Sequence, residues 1–285
     1  MTTLSLDDGR LWYESRGTGP PLVFVHGGWS NGDAWRAQMD RFAEEFQVVT
    51  FDVRGHGRTG VTDRRRYSID LFVDDLRRLL DHLDADRPLL CGLSLGSMVV
   101  QSYLDRHPAA VRGAVLAGPA RSMPPVDLPP AFKAFTSPLP AVSASVSTVG
   151  TTGTFRALLG SIRATKGSPW LAVDADVRAE AMDAVADVSN AEFRKIFGAL
   201  YRFDPPDLSH VSTPTLVVYG DRESPALKRQ GATLASSLPD ARRVSIPDAA
   251  HLVNQDAPAA FNDAVAEFLG GVETLPSEST ASRRS

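Results

Sequence analysis

Short, continuous apolar runs recur along this chain of 285 residues, and amphipathic segments with helical spacing separate them. Residues 22–25, 48–51 and 89–91 are three such runs. A strand that is apolar on both faces suits a parallel sheet covered by helices on both sides. Between two of the runs, Ser68 precedes a segment whose apolar residues fall on one helical face, as expected of a helix N-cap. This alternation predicts an α/β protein with a mostly parallel sheet and helices on both faces.

Eight strands are predicted in all. The first two surround the Asp8-Gly9 turn and form an N-terminal hairpin. The predicted strands are residues 4–6, 10–16, 22–25, 48–51, 89–91, 111–117, 214–220 and 242–246.

The strand pattern stops after residue 117 and resumes at residue 214. The segment between them has proline clusters, a stretch rich in Ser, Thr, Val and Gly at 143–154, and helical patterns that are clearest at 175–188 and 190–202. We therefore predict a core made of residues 1–118 and 208–270, a helical insertion at 119–207, and a disordered tail at 271–285.

Composition narrows the expected partners and location. A net charge of −4 and a pI near 5.9 give no electrostatic reason to expect nucleic acid or a membrane as partner. We expect a small-molecule substrate and a monomer or homodimer. The single cysteine, Cys91, fits a reducing compartment. The first residues lack the basic start and apolar core of a signal peptide, and no apolar run reaches the roughly 18 to 20 residues of a membrane span, so we expect a cytoplasmic protein.

A candidate nucleophile lies in Gly92-Leu93-Ser94-Leu95-Gly96, where a predicted strand meets a predicted helix. The pattern G-x-S-x-G is typical of a sharp strand-to-helix turn that exposes the serine hydroxyl at the end of a sheet. Side chains at Gly92 and Gly96 would collide where the strand and the helix cross. Alternatively, Ser94 is an ordinary loop serine, and the motif alone does not decide between the two.

A serine nucleophile needs a base, and the base needs a carboxylate partner. In a parallel sheet both must follow strands at the carboxyl edge that carries the serine. His251 follows the last predicted strand and meets this condition. We interpret His26 and His56, which lie in glycine-containing loops before the serine, as histidines that organise those loops by hydrogen bonding.

Two acidic residues, Asp221 and Glu223, follow the strand that ends near Gly220. We favour Glu223 because it lies further out over the sheet end, and Asp221 is the second choice. The oxyanion of the tetrahedral intermediate also needs N–H donors. Leu95, just past the serine at a helix N-terminus, supplies one. For the second we choose Gly28, with its neighbour Trp29 as the alternative.

These residues together resemble the α/β-hydrolase fold superfamily, in its esterase, lactonase and haloperoxidase-like branch. The resemblance rests on five motifs: His26-Gly27-Gly28, the stretch 52–60, the segment 92–96, Gly220-Asp221-Arg222-Glu223, and His251. It implies a helical cap at 119–207. It also implies that the acid comes three residues after the strand-end glycine, which is the position of Glu223, although aspartate is more usual there.

The resemblance and the serine together imply a reaction. A serine nucleophile disfavours the epoxide hydrolases and haloalkane dehalogenases of the superfamily, whose nucleophile is aspartate. We expect hydrolysis of a small, mainly apolar ester or lactone through an acyl-enzyme, without a cofactor or metal. The alternatives are carbon–carbon bond hydrolysis or perhydrolysis by the same triad, and a non-catalytic small-molecule receptor.

The expected substrate pocket combines residues of the core and of the insertion. Arg121 is a candidate ligand for a substrate carboxylate, the alternative being a structural ion pair. Some of the other aromatic residues of the insertion, which include Trp170, Phe193 and Phe197, should also contribute. The predicted pocket residues are Trp29, Arg121, Met123, Phe132 and Leu252.

Overall fold

A computed structural model describes residues 2–123, 137–164 and 170–273 of the chain. Within these residues, eight strands form one sheet. The strands are β1 (Thr2–Leu6), β2 (Gly9–Arg16), β3 (Pro21–Val25), β4 (Gln47–Phe51), β5 (Leu89–Leu93), β6 (Gly113–Ala117), β7 (Thr215–Gly220) and β8 (Ala241–Ile246).

The strand order across the sheet is β1-β2-β4-β3-β5-β6-β7-β8. The β1–β2 and β2–β4 pairs are antiparallel, whereas β3, β4, β5, β6, β7 and β8 run parallel to one another. The predicted mostly parallel, eight-stranded sheet is therefore confirmed. Because the parallel strands share one direction, the loops that follow β3, β5, β7 and β8 emerge at the same edge.

The helices of the described residues pack on this sheet and on one another. Two of them begin at serine caps: Ser68, the predicted cap, accepts from Leu71 N, and Ser224 accepts from Leu227 N. The helices are α1 (Arg36–Phe42), α2 (Ile69–His82), α3 (Leu95–Arg106), α4 (Leu139–Ala164), α5 (Ala175–Asp187), α6 (Asn190–Arg202), α7 (Pro225–Ser237), α8 (Val253–Asp256) and α9 (Pro258–Glu273).

The central strands are buried along their whole length. Every residue of β5 and of β6 is inaccessible to solvent or nearly so, and Cys91 of β5 is a buried free thiol. This is the physical reason for the continuous apolar runs, because a strand that is buried on both faces needs apolar residues at successive positions. The central position of β5 places the turn that follows it at the middle of the sheet edge.

The insertion contains a helix before the two clearest predicted ones, and the sequence pattern did not give its bounds. Helix α4 covers the Ser/Thr/Val/Gly stretch 143–154, with a break at Gly150, whose φ is +73°. Hydroxyl groups inside the helix bond back to carbonyl oxygens four residues earlier: Ser147 Oγ to Ser143 O and Thr148 Oγ1 to Ala144 O. These bonds satisfy the hydroxyls locally, and contacts between α4 and α6 stabilise the helix. Tertiary packing therefore overrides weak local propensity.

The C-terminal end differs slightly from the prediction. Helix α9 continues to Glu273, so residues 271–273 of the predicted tail are helical, and residues 274–285 lie outside the described residues. Among the helices described, none is both long and apolar enough to cross a membrane.

Candidate active site

Ser94 occupies the turn between β5 and α3 in a strained backbone conformation. Its φ is 54° and its ψ is −110°, in the left-handed half of φ space that residues with a side chain seldom adopt. The surrounding backbone maintains this geometry, because Ser94 N donates to Ala117 O at 3.0 Å and Ser94 O accepts from Met98 N at 3.1 Å. Ser97 Oγ donates to the same carbonyl at 2.7 Å. The turn is therefore hydrogen-bonded on both sides of the serine.

The two flanking glycines have the steric role that the motif predicts. A Cβ atom on Gly92 would collide with the carbonyl of Gly96, and a Cβ atom on Gly96 would collide with the carbonyl of Val25. Glycine at position 92 therefore lets α3 pass close to the end of β5, and glycine at position 96 lets α3 pass close to the end of β3.

His251 and Glu223 form a buried pair. The distance from His251 Nδ1 to Glu223 Oε2 is 2.6 Å, and the other carboxylate oxygen, Oε1, accepts from Ser224 N at 2.6 Å. Asp221, the second choice for the acid, has a side chain 41% exposed, and it lies 3.6 Å from the guanidinium of Arg222. The structure brings Glu223, and not Asp221, to His251. Because Nδ1 donates its proton to Glu223, Nε2 of the neutral ring keeps its lone pair.

Two further glycines position the loop of His251. Gly220 ends β7 against the backbone of Ala249 and Ala250, leaving no room for a side chain. Gly118, with a φ of +46°, follows β6 beside the imidazole, and a Cβ atom there would lie 3.1 Å from His251 Nδ1. Close backbone approach at both glycines brings the histidine loop over the ends of β6 and β7.

Trp170, from the insertion, covers one face of the imidazole. The two rings are stacked, with centroids 4.7 Å apart and planes inclined by 19°. His251 N donates to Trp170 O at 3.2 Å, and Leu252 N donates to Leu171 O at 2.9 Å. The sequence indicated Trp170 only as an aromatic residue of the insertion. No local pattern could pair it with His251, because the contact joins segments about eighty residues apart.

The candidate oxyanion donors lie next to Ser94. Leu95 is the first residue of α3, so its N–H belongs to the helix N-terminus, which has no partner within the helix. Gly28 is adjacent, since a Cβ atom on it would lie 3.8 Å from Leu95 Cβ. The N–H of Trp29, the alternative donor, instead donates to His56 Nε2 at 2.9 Å. Trp29 is therefore not a suitable donor, and Gly28 remains the candidate.

His26 and His56 hold the loops on either side of Gly28 and Trp29. His26 Nδ1 donates to Gly27 O at 2.7 Å, and its Nε2 accepts from Val53 N at 3.0 Å. His56 Nδ1 bonds to Arg54 O at 2.9 Å. Burial lowers the pKa of His56 to about 3, and it also lowers the pKa of His26. Both rings are neutral and fully engaged in hydrogen bonds, which is the loop-organising role that the sequence predicted.

Ser94 and His251 both line a cavity of about 110 Å³ between the sheet edge and the insertion. Of the predicted pocket residues, Trp29, Met123 and Leu252 line this cavity. Arg121 is not among the described residues that line it, although its neighbours Ala120 and Ser122 are. The backbone N–H of Arg121 donates to Gln230 Oε1 at 2.8 Å. Phe132 lies outside the described residues.

Apolar side chains from α3, the insertion and α7 complete the described cavity wall. Phe155 comes from α4, the helix whose bounds the sequence pattern did not give. Above the cavity, Trp29 stacks on Phe193 of α6, with ring centroids 4.8 Å apart. The lining residues that sequence reasoning did not select for the pocket include Met98, Phe155, Trp170, Leu171, Val185, Leu200 and Leu227.

Among the residues described, no group of three or more His, Cys, Asp or Glu side chains is arranged to hold a metal ion.

Comparison with known proteins identifies the class of this chain. The family model of the alpha/beta hydrolase fold matches residues 20–258, which is most of the chain. The chain therefore belongs to the alpha/beta hydrolase fold family, and its class is that of the α/β-hydrolase enzymes.

The similar proteins are named for different reactions. A non-heme chloroperoxidase, CPO-A1 of Kitasatospora aureofaciens, is 37% identical over 123 residues, which is 42% of this chain and only 43% of that protein. The 3-oxoadipate enol-lactonase 2 of Acinetobacter baylyi is 25% identical over 271 residues, covering 92% of this chain and 94% of the lactonase. The structure of a thermophilic esterase from Thermogutta terrifontis superposes with a TM-score of 0.80 at 23% identity, over 96% of this chain and all of the other.

Proposed function

We propose that this protein is a serine hydrolase that cleaves a small, mainly apolar carboxylic ester or lactone through an acyl-enzyme. One observation carries the proposal. The strained Ser94 turn and the His251–Glu223 pair open onto the same apolar cavity. A nucleophile, a base with one uncommitted nitrogen and an orienting carboxylate are the elements that acyl transfer requires.

In the proposed mechanism, Ser94 Oγ attacks the substrate carbonyl carbon while His251 Nε2 takes the hydroxyl proton. The imidazolium that forms is stabilised by Glu223 across the 2.6 Å hydrogen bond. The backbone N–H groups of Gly28 and Leu95 stabilise the oxyanion, each by about 3 kcal/mol. His251 then protonates the leaving oxygen and, in the second half-reaction, activates the water that hydrolyses the acyl-enzyme.

The chemistry of the cavity supports a neutral substrate. Apart from His251, no titratable side chain is among the described residues that line it. A substrate carboxylate would therefore lose its hydration without gaining a cationic partner, which is costly in an apolar pocket. The names of two relatives, an enol-lactonase and an esterase, agree with ester or lactone chemistry.

The proposal includes the domain organisation. We propose residues 1–118 and 208–270 as the catalytic core and residues 119–207 as the cap. In support, α4, α5 and α6 all lie between β6 and β7 in the chain, and side chains from α4 and α5 line the cavity. The cap would then determine which acyl or alcohol groups reach Ser94.

Labelling with a fluorophosphonate tests the nucleophile. We expect one label per chain in the wild-type protein and none in Ser94→Ala. Ser30→Ala is the matched control, because Ser30 also lines the cavity, and it should be labelled like the wild type. Label that persists in Ser94→Ala would contradict the assignment.

Steady-state assays then identify the reaction. We expect turnover of short-chain aryl esters or of a small lactone, and none of a 1,5-diketone. Preferential turnover of the diketone would favour carbon–carbon bond hydrolysis, and peroxyacid formation from an ester and hydrogen peroxide would favour perhydrolysis. If the wild-type protein takes no label and has no turnover, the hydrolase proposal is wrong and the receptor alternative gains support.

A further inference from the structure

Three kinds of contact join the loop of His251 to a short segment of the insertion, residues 170–174. Two consecutive backbone hydrogen bonds run from His251 N to Trp170 O and from Leu252 N to Leu171 O. The Trp170 indole lies against the imidazole. A carboxylate, that of Asp256 on α8, bonds to both segments. The first two contacts act on the candidate base directly, and the third holds them in place.

Asp256 accepts hydrogen bonds from three backbone N–H groups. Its oxygens lie 2.9 and 3.0 Å from Val173 N, 3.1 Å from Asp174 N and 2.8 Å from Ala250 N. Val173 and Asp174 belong to the insertion, whereas Ala250 directly precedes His251. Hydrogen bonds to an ionised carboxylate are stronger than those between neutral groups, so this carboxylate holds the two segments together.

The imidazole of His251 is consequently held in two directions. Glu223 binds Nδ1 in the plane of the ring, and Trp170 covers one face at a centroid distance of 4.7 Å. An aromatic face within about 6 Å attracts a cation, most strongly when the pair is shielded from water. His251 is buried, so the contact is shielded. The indole therefore interacts more favourably with the imidazolium than with the neutral ring.

We propose that Trp170 is a positioning residue for the base, which orients the His251 ring and stabilises its imidazolium, and that Asp256 holds Trp170 in that position. The inference deepens the proposed serine-hydrolase function and rests on it. When Ser94 attacks, its O–H bond breaks, the proton moves to His251 Nε2, and the ring acquires a positive charge between Glu223 and the indole. The cap thus contributes to the acid–base chemistry as well as to the pocket.

Among the described residues, two charged groups are connected by hydrogen bonds to this ring or to its loop. The β7–α7 loop contributes Glu223, and α8 contributes Asp256 through the N–H of Ala250, while Gly118 lies beside the ring at the end of β6. Asp248, on the same loop, is exposed and lies 3.3 Å from Arg222. The test must therefore separate the effect of the indole from the effect of the Asp256 charge.

Trp170→Leu and Trp170→Phe make the first comparison. Leucine keeps an apolar cover over His251 but removes the aromatic face, whereas phenylalanine keeps both. In Trp170→Leu we expect the midpoint of the acid limb of the kcat/KM profile to move to lower pH by about half a unit to one unit. Trp170→Phe should restore most of this shift. A purely structural wall would change KM without moving the midpoint.

Asp256→Asn makes the second comparison, because the amide turns a donor toward backbone N–H groups that are themselves donors. We expect the same direction of shift as in Trp170→Leu, and little further shift in the double variant, since Asp256 acts through Trp170. Asp248→Asn is the matched control, as it removes a carboxylate from the same loop without touching the insertion. Additive shifts in the double variant would mean that Asp256 acts on His251 by its charge alone.

An NMR titration of the His251 ring protons, assigned with His251→Gln, makes the test independent of activity. In the wild type, stacking on the indole should move the Hε1 resonance upfield, and this readout needs only the assignment variant His251→Gln to fold. An unshifted Hε1 resonance, or a midpoint that is the same in wild type and Trp170→Leu, overturns the inference. If the wild type instead shows the stacking but takes no fluorophosphonate and turns over no ester, the proposed function fails and the Trp170–His251 contact stands.

Discussion

Two groups of histidines lie at the carboxyl edge of the sheet, and they differ in what their ring nitrogens bind. In His26 and His56, one nitrogen donates to a backbone carbonyl and the other accepts a backbone N–H. In His251, Nδ1 binds a carboxylate, and the residue lines the cavity that Ser94 also lines. A ring with both nitrogens bound to the backbone organises loops, whereas a ring with one nitrogen available can transfer a proton.

The nearby carboxylates differ in the same way. Glu223 gives one oxygen to His251 and the other to the backbone of Ser224. Asp52 is also buried, but its oxygens accept from Gly32 N, from Arg58 N and from the Arg58 guanidinium. Burial alone would raise the pKa of Asp52, and the hydrogen bonds from Arg58 are the main reason why it is lowered instead. Asp52 therefore supports a loop, while Glu223 supports a proton acceptor.

The largest expected effect is the difference in kcat between two variants, one with His251 and one with His56 replaced by glutamine. We expect His251→Gln to lower kcat for an aryl ester by about four orders of magnitude or more, because no other group can take the Ser94 proton. His56→Gln keeps an acceptor for Trp29 N and should retain kcat within about tenfold, while losing about 1 to 3 kcal/mol of unfolding free energy. Steady-state kinetics and urea unfolding measure the two effects. Similar losses of kcat in both variants would remove the distinction between the groups.

Much of this contrast could be predicted from the sequence, because it depends on chain order and local pattern. His251 follows the last strand, and His26 and His56 lie in glycine-containing loops. These relations already separate a candidate base from loop organisers. The sequence favoured Gly28 as oxyanion donor but left Trp29 open as the alternative, because the argument against Trp29 is the hydrogen bond from Trp29 N to His56, a residue 27 positions away.

The next contrast concerns the two acids that follow β7. We expect Glu223→Gln to lower kcat by about two to four orders of magnitude, because the amide can no longer stabilise the imidazolium or fix its tautomer. Asp221 is exposed, and its backbone carbonyl accepts from Lys228 Nζ at 2.5 Å. Asp221→Asn should therefore change kcat by less than about twofold. Kinetics of both variants on one aryl ester decide the matter, and equal small losses would mean that neither residue is the triad acid.

The insertion was the least predictable region for physical reasons. Its helix α4 depends on contacts with α6, and the break at Gly150 obscures any single helical period. Arg121 was expected at the pocket because it follows a strand of the sheet. Its backbone N–H is bound instead by Gln230 on α7, a residue about one hundred positions later. Long-range contacts of this kind leave no local signature, whereas the strand pattern of the core is local and was confirmed.

The smallest expected effect is the contribution of His56 to the pH dependence of the unfolding free energy. His56 has a folded-state pKa of about 3 against an ordinary value of 6.5, so between these values the unfolded chain binds a proton that the folded chain does not. The unfolding free energy should therefore fall as pH falls below 6.5, by about 1.4 kcal/mol per pH unit for this residue, and His56 should contribute nothing above that pH. Asp52, whose pKa is lowered below 3.8, acts only at more acidic pH. Between pH 6 and pH 4.5, His26 and His56 should therefore change the unfolding free energy more than Asp52 does.

Urea unfolding of the wild type and of His56→Gln at pH 7, 6 and 5 measures that slope. We expect the variant to be less stable at pH 7 but to lose less stability on acidification, so that the two curves converge as the pH falls. His82→Gln, at an exposed histidine of α2, is the control for removing an imidazole. Parallel curves for wild type and His56→Gln would mean that His56 binds its proton in the folded state. Its Nε2 could not then accept from Trp29 N, and the distinction between the two histidine groups would no longer rest on their protonation.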